Sequence, residues 1–366
     1  MPGLDHIRAG AALLIVFYHA LHKLSFIPRA GPAFRNLWVY SKNPIKVLVE
    51  EGHTAVALFM VLSGFVFSVS AIGKEIAYVP FMRNRFLRVY PLFIVMVLAG
   101  VAAQPTQFNI LSFLQTLLFL SNEQGQFSAE PFTGMSWAVA VEFQFYLVFP
   151  FLHHFIEKEG VRWAMAFIVM VCLLRYAAML VGTSNPQDIY YWQILGRIDQ
   201  FVLGMLAARV YVRQKQALWP ALIGFTLALT FILYMLVRYN QAGAWLSVAR
   251  WKVVWPAVEG FGWAAVIVFY LPLADRLPRL LSAAMAHVGT WSYSIYMLHV
   301  VCISALPKLV PFTFGDRPNL SSQLYTLEVL LPVVLPLAAL SYYAIERPFF
   351  GLRVKYLREP GPSFGS

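Results

Sequence analysis

Arg8 and His19 stand eleven positions apart in an otherwise apolar stretch. At about 100° per residue that spacing returns to within roughly 20° of the same helical face, about 16 Å further along the axis. A guanidinium fork binds phosphate or carboxylate oxygens, and an imidazole, whose proton affinity straddles neutral pH, can take a proton from a hydroxyl. One stripe thus carries an anion ligand at its foot and a general base three turns up. His22, a turn beyond His19, is a second candidate base, and a histidine bonded to a neighbouring helix is the structural alternative for both. Arg83, Arg85 and Arg88 open another apolar segment. Arg85 and Arg88, three apart, share a face, as an anion site or as an anchor at the inner membrane surface. Glu142 lies a third of the way along the segment beginning Ser136-Trp137 and needs a cation or a histidine as partner. Arg197 and Asp199 point to structural pairing, satisfying each other indirectly or facing different helices, whereas Arg175, Glu259, Glu328 and His299 are single polar groups to which spacing assigns no role. Cys172 and Cys302 sit in apolar runs, too few for a disulfide framework or a metal site, and no metal is expected.

The solvent that surrounds these groups follows from composition. Of 366 residues, 60% are apolar and 12% charged, against about 45–50% and 25% in soluble proteins. That excludes a soluble globule and a disordered chain, and the scarcity of charge between apolar runs excludes a nucleic-acid binder. A membrane span takes about 20 mostly apolar residues, and ten segments qualify: 8–25, 53–72, 87–104, 136–156, 163–182, 192–210, 217–237, 253–273, 287–306 and 323–345. The expected fold is an all-α polytopic membrane protein with about 10 transmembrane helices. Phe108–Leu120 is too short to cross and reads as interfacial or re-entrant, followed by a loop. The first apolar run, lacking a leader's cleavage pattern, reads as an uncleaved span. The net charge of +11 reports topology first, because Lys and Arg are retained on the inner side. Their distribution puts both termini in the cytoplasm, with a plasma-membrane domain over 1–346 and a loose, short, basic cytoplasmic tail over 347–366. A charge at the bilayer centre costs at least about 2.5–3.5 kcal/mol on insertion scales, so the intramembrane ionisable groups are candidates for function.

Seven pieces, in order, resemble the acyltransferase-3 family of membrane O-acyltransferases: Leu4-Asp5 with Arg8 and His19; Phe59 through Phe65; Arg85 and Arg88 before Tyr90-Pro91; Trp137 through Glu142 with Phe145-Tyr146; Arg197-Ile198-Asp199 with Gly204; Ser292 through His299; and Glu346-Arg347-Pro348. Coverage runs nearly end to end. His6 stands where the family usually has glycine, Ala138 where it often has serine, and Phe143 where a second acidic residue is common. Of that segment only Glu142 is therefore carried over.

The resemblance implies transfer of an acyl group, most often acetyl, from cytoplasmic acyl-CoA to a hydroxyl of a carbohydrate or glycolipid at the outer face. Acyl-CoA would be a co-substrate, with no tightly bound cofactor, and membrane lipid would be the surrounding partner. His19 would be the catalytic histidine; Arg8, Arg85 and Arg88 would handle the donor; Glu142 would orient His19 or stabilise its imidazolium. Many members append an extracytoplasmic hydrolase-like domain, and this sequence resembles the standalone form. Acceptor choice is expected in the external loops Ser25–Gly52 and Asn122–Ser136, whose Trp38, Tyr40, Phe127, Phe132 and Trp137 either stack on sugar rings or form an interfacial belt. The rival class is a secondary transporter of an anion or sugar conjugate, which also places charge at mid-membrane. The inverted repeats common in transporters are not visible between the two halves.

Overall fold

Apolar runs this long in lipid satisfy their backbone groups within the segment, and helices result. The computed structural model describes residues 1–24, 38–122, 128–182, 188–214, 217–244, 246–311 and 318–359. The helices are α1 (Pro2–Leu24), α2 (Pro44–Glu50), α3 (Thr54–Ala71), α4 (Tyr78–Ala103), α5 (Ile110–Leu117), α6 (Ser136–Leu180), α7 (Ile198–Arg213), α8 (Leu218–Gln241), α9 (Trp255–Ala274), α10 (Arg279–Thr290), α11 (Ser292–Leu309), α12 (Pro318–Tyr325) and α13 (Leu331–Ser341). Strand structure among the described residues is one antiparallel pair, β1 (Glu75–Ile76) with β2 (Leu357–Arg358).

Among the described residues seven helical stretches are long and apolar enough to cross a bilayer, so the expected ten are not confirmed. Two of the ten, 136–156 and 163–182, fall within α6, which breaks at Gly160 with φ 79° and ψ −163°. The expected spans at 192–210 and 287–306 become α7 and α11, of 16 and 18 residues. At 1.5 Å per residue these are about 24 and 27 Å long, short of a hydrocarbon core of about 30 Å. The stretch read as interfacial holds the eight-residue α5, capped by Asn109, whose side chain accepts from the Leu111 and Ser112 amides.

Two glycines set a close helix crossing. A Cβ built at Gly64 of α3 would lie 2.0 Å from the Phe201 carbonyl oxygen of α7, and one at Gly204 of α7 would lie 1.9 Å from the Val61 oxygen of α3. The two backbones touch, and only small residues allow that. Around this crossing pack α9, α6 and α1, with Phe65, Phe145, Phe149 and Phe201 fully buried.

The tail was expected to be loose, and its described part is docked. Residues 347–352 continue the last helix as a 3₁₀ turn, β2 pairs with β1, and the Ala77 amide donates to the Tyr356 carbonyl at 2.8 Å. Asn84 of α4 donates to the Val354 carbonyl at 2.7 Å and accepts from its amide at 2.9 Å. An amide side chain that closes both bonds on one residue fixes the backbone there, which a charge count cannot foretell.

Candidate active site

α1, α3, α4, α6 and α11 enclose a cavity of about 340 Å³ at the end of the bundle where α1 and α4 begin. Arg8, Arg85, Arg88 and Glu142 all line it, so four of the five residues singled out in the sequence converge. Asp5 holds Arg8 at 2.5 Å. Arg88 pairs at 2.5 Å with the fully buried Glu346, which also accepts from the Ser294 hydroxyl. Arg85 lies over the Phe67 and Phe81 rings at 4.7 and 5.5 Å. Phe67 and Phe81 are apolar support for a cation, and among the described residues Arg85 has no carboxylate within ion-pair distance.

Glu142 accepts from the Ser63 hydroxyl at 2.7 Å and shares the cavity wall with Tyr146, Arg85 and Arg88. The expectation that Glu142 orients His19 is therefore not met. Its carboxylate belongs to the arginine cavity, because the face of α6 that carries it is turned to α3 and α4.

His19 does not line that cavity. Its Nδ1 lies 2.9 Å from Nε2 of His299 on α11, and the Nδ1 of His299 is 3.1 Å from the Ile295 carbonyl oxygen. A carbonyl can only accept, so His299 carries its proton on Nδ1 and presents a lone pair on Nε2. His19 then donates from Nδ1, and the lone pair of its neutral ring falls on Nε2. The two imidazoles are thus joined by one hydrogen bond, with the His299 ring held by the α11 backbone. Between it and the cavity stands Tyr296, whose ring lines the cavity and lies 5.9 Å from that of His299. The Tyr296 hydroxyl is buried with no hydrogen-bond partner among the described residues. His299 was legible only as a polar residue in an apolar run; its partner is 280 positions away.

Beyond His19, at the far end of α1, lies a polar cluster. His22, the second candidate base, stacks on Trp38 at 4.7 Å, and its Nε2 donates to the Glu50 carbonyl at 3.1 Å. That bond ties the His22 ring to the end of α2. Glu51 accepts from the Trp38 indole at 2.8 Å, from Asn240 at 2.7 Å and from His53 at 3.1 Å. Burial pushes the Glu50 carboxyl, outside the spans, up to about 7, against the opposing bond from the Val39 amide. Glu50 and Glu51 went unnoticed in the sequence because they sit in what read as a connection, and His53 because it opens the expected span 53–72. Of the aromatics proposed for the acceptor, Trp137 packs against Tyr191 and Trp192, and Phe127 lies outside the described residues. Arg197 and Asp199 do not pair with each other: Asp199 holds Arg175 at 2.5 Å, and Arg197 faces Glu259 at 3.9 Å. Successive polar residues at the start of α7 point to different neighbours, which accounts for Arg175 and Glu259, two of the four residues left without a role.

The helical bundle thus carries a cationic pocket at one end and a hydrogen-bonded histidine pair beyond it. The model of the acyltransferase-3 family, an acyltransferase domain, matches residues 1–343, and the chain belongs to that family. It is 26% identical over 331 residues to the acyltransferase MdmB of Streptomyces mycarofaciens, covering 83% of this chain and 79% of that protein. It is 22% identical over 307 residues to a putative acetyltransferase of Acidianus two-tailed virus, covering 82% of each. No solved structure matches.

Proposed function

We propose that the protein transfers an acyl group, acetyl by preference, from cytoplasmic acyl-CoA to a hydroxyl of a carbohydrate or glycolipid at the outer face of the plasma membrane, both termini being cytoplasmic. The observation that carries this reading is the hydrogen-bond order Ile295, His299, His19, which supports His19 Nε2 as the base. Membership of an acyltransferase family supplies the reaction class.

The phosphate-bearing end of the donor binds at Arg8, Arg85 and Arg88, and the pantetheine arm reaches past Tyr296 toward His19. The hydroxyl of Tyr296, without a hydrogen-bond partner among the described residues, donates to the thioester carbonyl. His19 Nε2 takes the acceptor's hydroxyl proton as its oxygen attacks that carbonyl. The C–S bond breaks, the ester forms, and the proton passes to the departing thiolate. General-base help of this kind is worth about 10²–10⁴-fold. Glu142 acts in the donor pocket, beside the arginines it faces. The cluster of His22, Trp38, Glu51 and Asn240 lies at the end of α1 where the acceptor enters.

The test is incubation of membranes containing the protein with labelled acetyl-CoA. His19→Ala should lose transfer and still bind CoA; transfer at the wild-type rate by His19→Ala removes the assignment. A transporter would leave the label on CoA.

A further inference from the structure

The cavity has a cationic wall that the family-matched residues do not supply. Arg353 lies ten positions beyond the matched region and lines the same cavity as Arg8, Arg85 and Arg88. The backbone on either side of it is clamped. Arg83 donates to the Leu352 carbonyl at 3.0 Å, and Asn84 makes both bonds to Val354. The Arg353 guanidinium lies 3.6 Å from the centre of the Phe350 ring, which also carries Arg88 at 5.2 Å.

Charge on the wall is only partly matched. Arg8 has Asp5 and Arg88 has Glu346. Among the described residues neither Arg85 nor Arg353 has a carboxylate within ion-pair distance, and Nε of Arg85 and Nε and Nη2 of Arg353 are buried with no acceptor. Burial, and the guanidiniums of Arg88 and Arg85, push Arg353 down to about 10. Buried donors without acceptors are costly, and a fork with two free nitrogens fits phosphoryl oxygens.

We infer that Arg353 and Arg85 form a phosphoryl-binding pair, and that the docked tail is a wall of the donor pocket holding Arg353 against the phosphate groups of acyl-CoA. This rests on the donor reading above. Anionic lipid carries the same phosphoryl chemistry and is the competing source. If the residue only packs on Phe350, its removal alters stability and leaves affinity alone.

The experiment measures CoA binding and melting temperature for the full-length protein in phosphatidylcholine nanodiscs, as wild type, Arg353→Gln, Arg353→Lys and Lys355→Gln. Lys355 is exposed on the same segment, does not line the cavity, and controls for charge. Loss of a charge-assisted contact predicts that Arg353→Gln weakens CoA by about tenfold or more, with Lys355→Gln unchanged. Arg353→Lys, which keeps the charge and loses the fork, should fall between and serves if the glutamine variant does not fold. Affinities of Arg353→Gln and Arg353→Lys within twofold of Lys355→Gln overturn the assignment while sparing the donor reading. Absence of saturable CoA binding by the wild type overturns both. Unchanged CoA affinity with loss of copurifying phosphatidylglycerol would reassign the pair to lipid and overturn the inference.

Discussion

Replacing His299 by phenylalanine removes the acceptor for His19 Nδ1–H while keeping a planar ring in a fully buried site. In the resting enzyme that bond is neutral and contributes roughly 1 kcal/mol, and when His19 takes the acceptor's proton the same bond is charge-assisted, at about 1.5–3 kcal/mol. Only the difference, about 0.5–2 kcal/mol, acts on the barrier, which predicts a fall in kcat of about 2- to 30-fold. The loss of a fixed tautomer adds to it, since an imidazole free to carry its proton on Nε2 is no base. The donor's KM should not move, because His299 does not line the arginine cavity. His299→Gln, whose amide oxygen can accept from His19, should recover part of the rate. The assay is the initial rate of labelled acetyl transfer across a series of acetyl-CoA concentrations. A phenylalanine variant with normal yield and wild-type kcat, or one changed only in KM, would refute the positioning role.

Asp199→Ala strands the Arg175 charge in a site where both side chains are 0% exposed. It should cost about 3–5 kcal/mol, read as a fall in apparent melting temperature in detergent, with Arg175→Met in the same chain restoring much of it. Gly204→Leu drives side-chain atoms into the Val61 carbonyl of α3 and should reduce monodisperse yield on fluorescence-detected size exclusion, while Gly10→Leu, where nothing lies near the Cβ, should not. The Glu50 carboxyl, held at about 7 instead of 4.5, makes the folded protein the stronger proton binder between those values, so stability falls as pH rises through this window and stays low above it. Glu50→Gln removes that penalty and should stabilise by about 3 kcal/mol at pH 8 and little at pH 4.5, read as apparent melting temperatures at the two values. No pH dependence of the difference would contradict the burial argument.

The donor side of the site was legible because its residues are expensive. Arginine and glutamate inside apolar runs have few reasons to exist, and Arg8, Arg85, Arg88 and Glu142 do meet in one cavity. The histidine couple was half legible: helical periodicity isolates His19, but its partner is fixed by how α11 lies against α1. Arg353 was hidden by its setting, a basic stretch that looks like a retention signal until Asn84 clamps its backbone. The error over Glu142 has the same origin, since a period of 3.6 residues tells which residues share a face and not which helix that face meets.

Composition and periodicity by themselves determined that this chain lives in lipid, that it is helical, and which side chains are too costly to be idle. They did so because the price of burying charge and bare backbone in hydrocarbon depends on residue type and local spacing alone. Pairings across tens to hundreds of positions were decided only by the tertiary structure: Asp199 with Arg175, Arg88 with Glu346, His19 with His299, and the tail with the start of α4. Each needs two helices to lie at a particular rotation and depth, and close-packed surfaces such as the Gly64–Gly204 crossing set those.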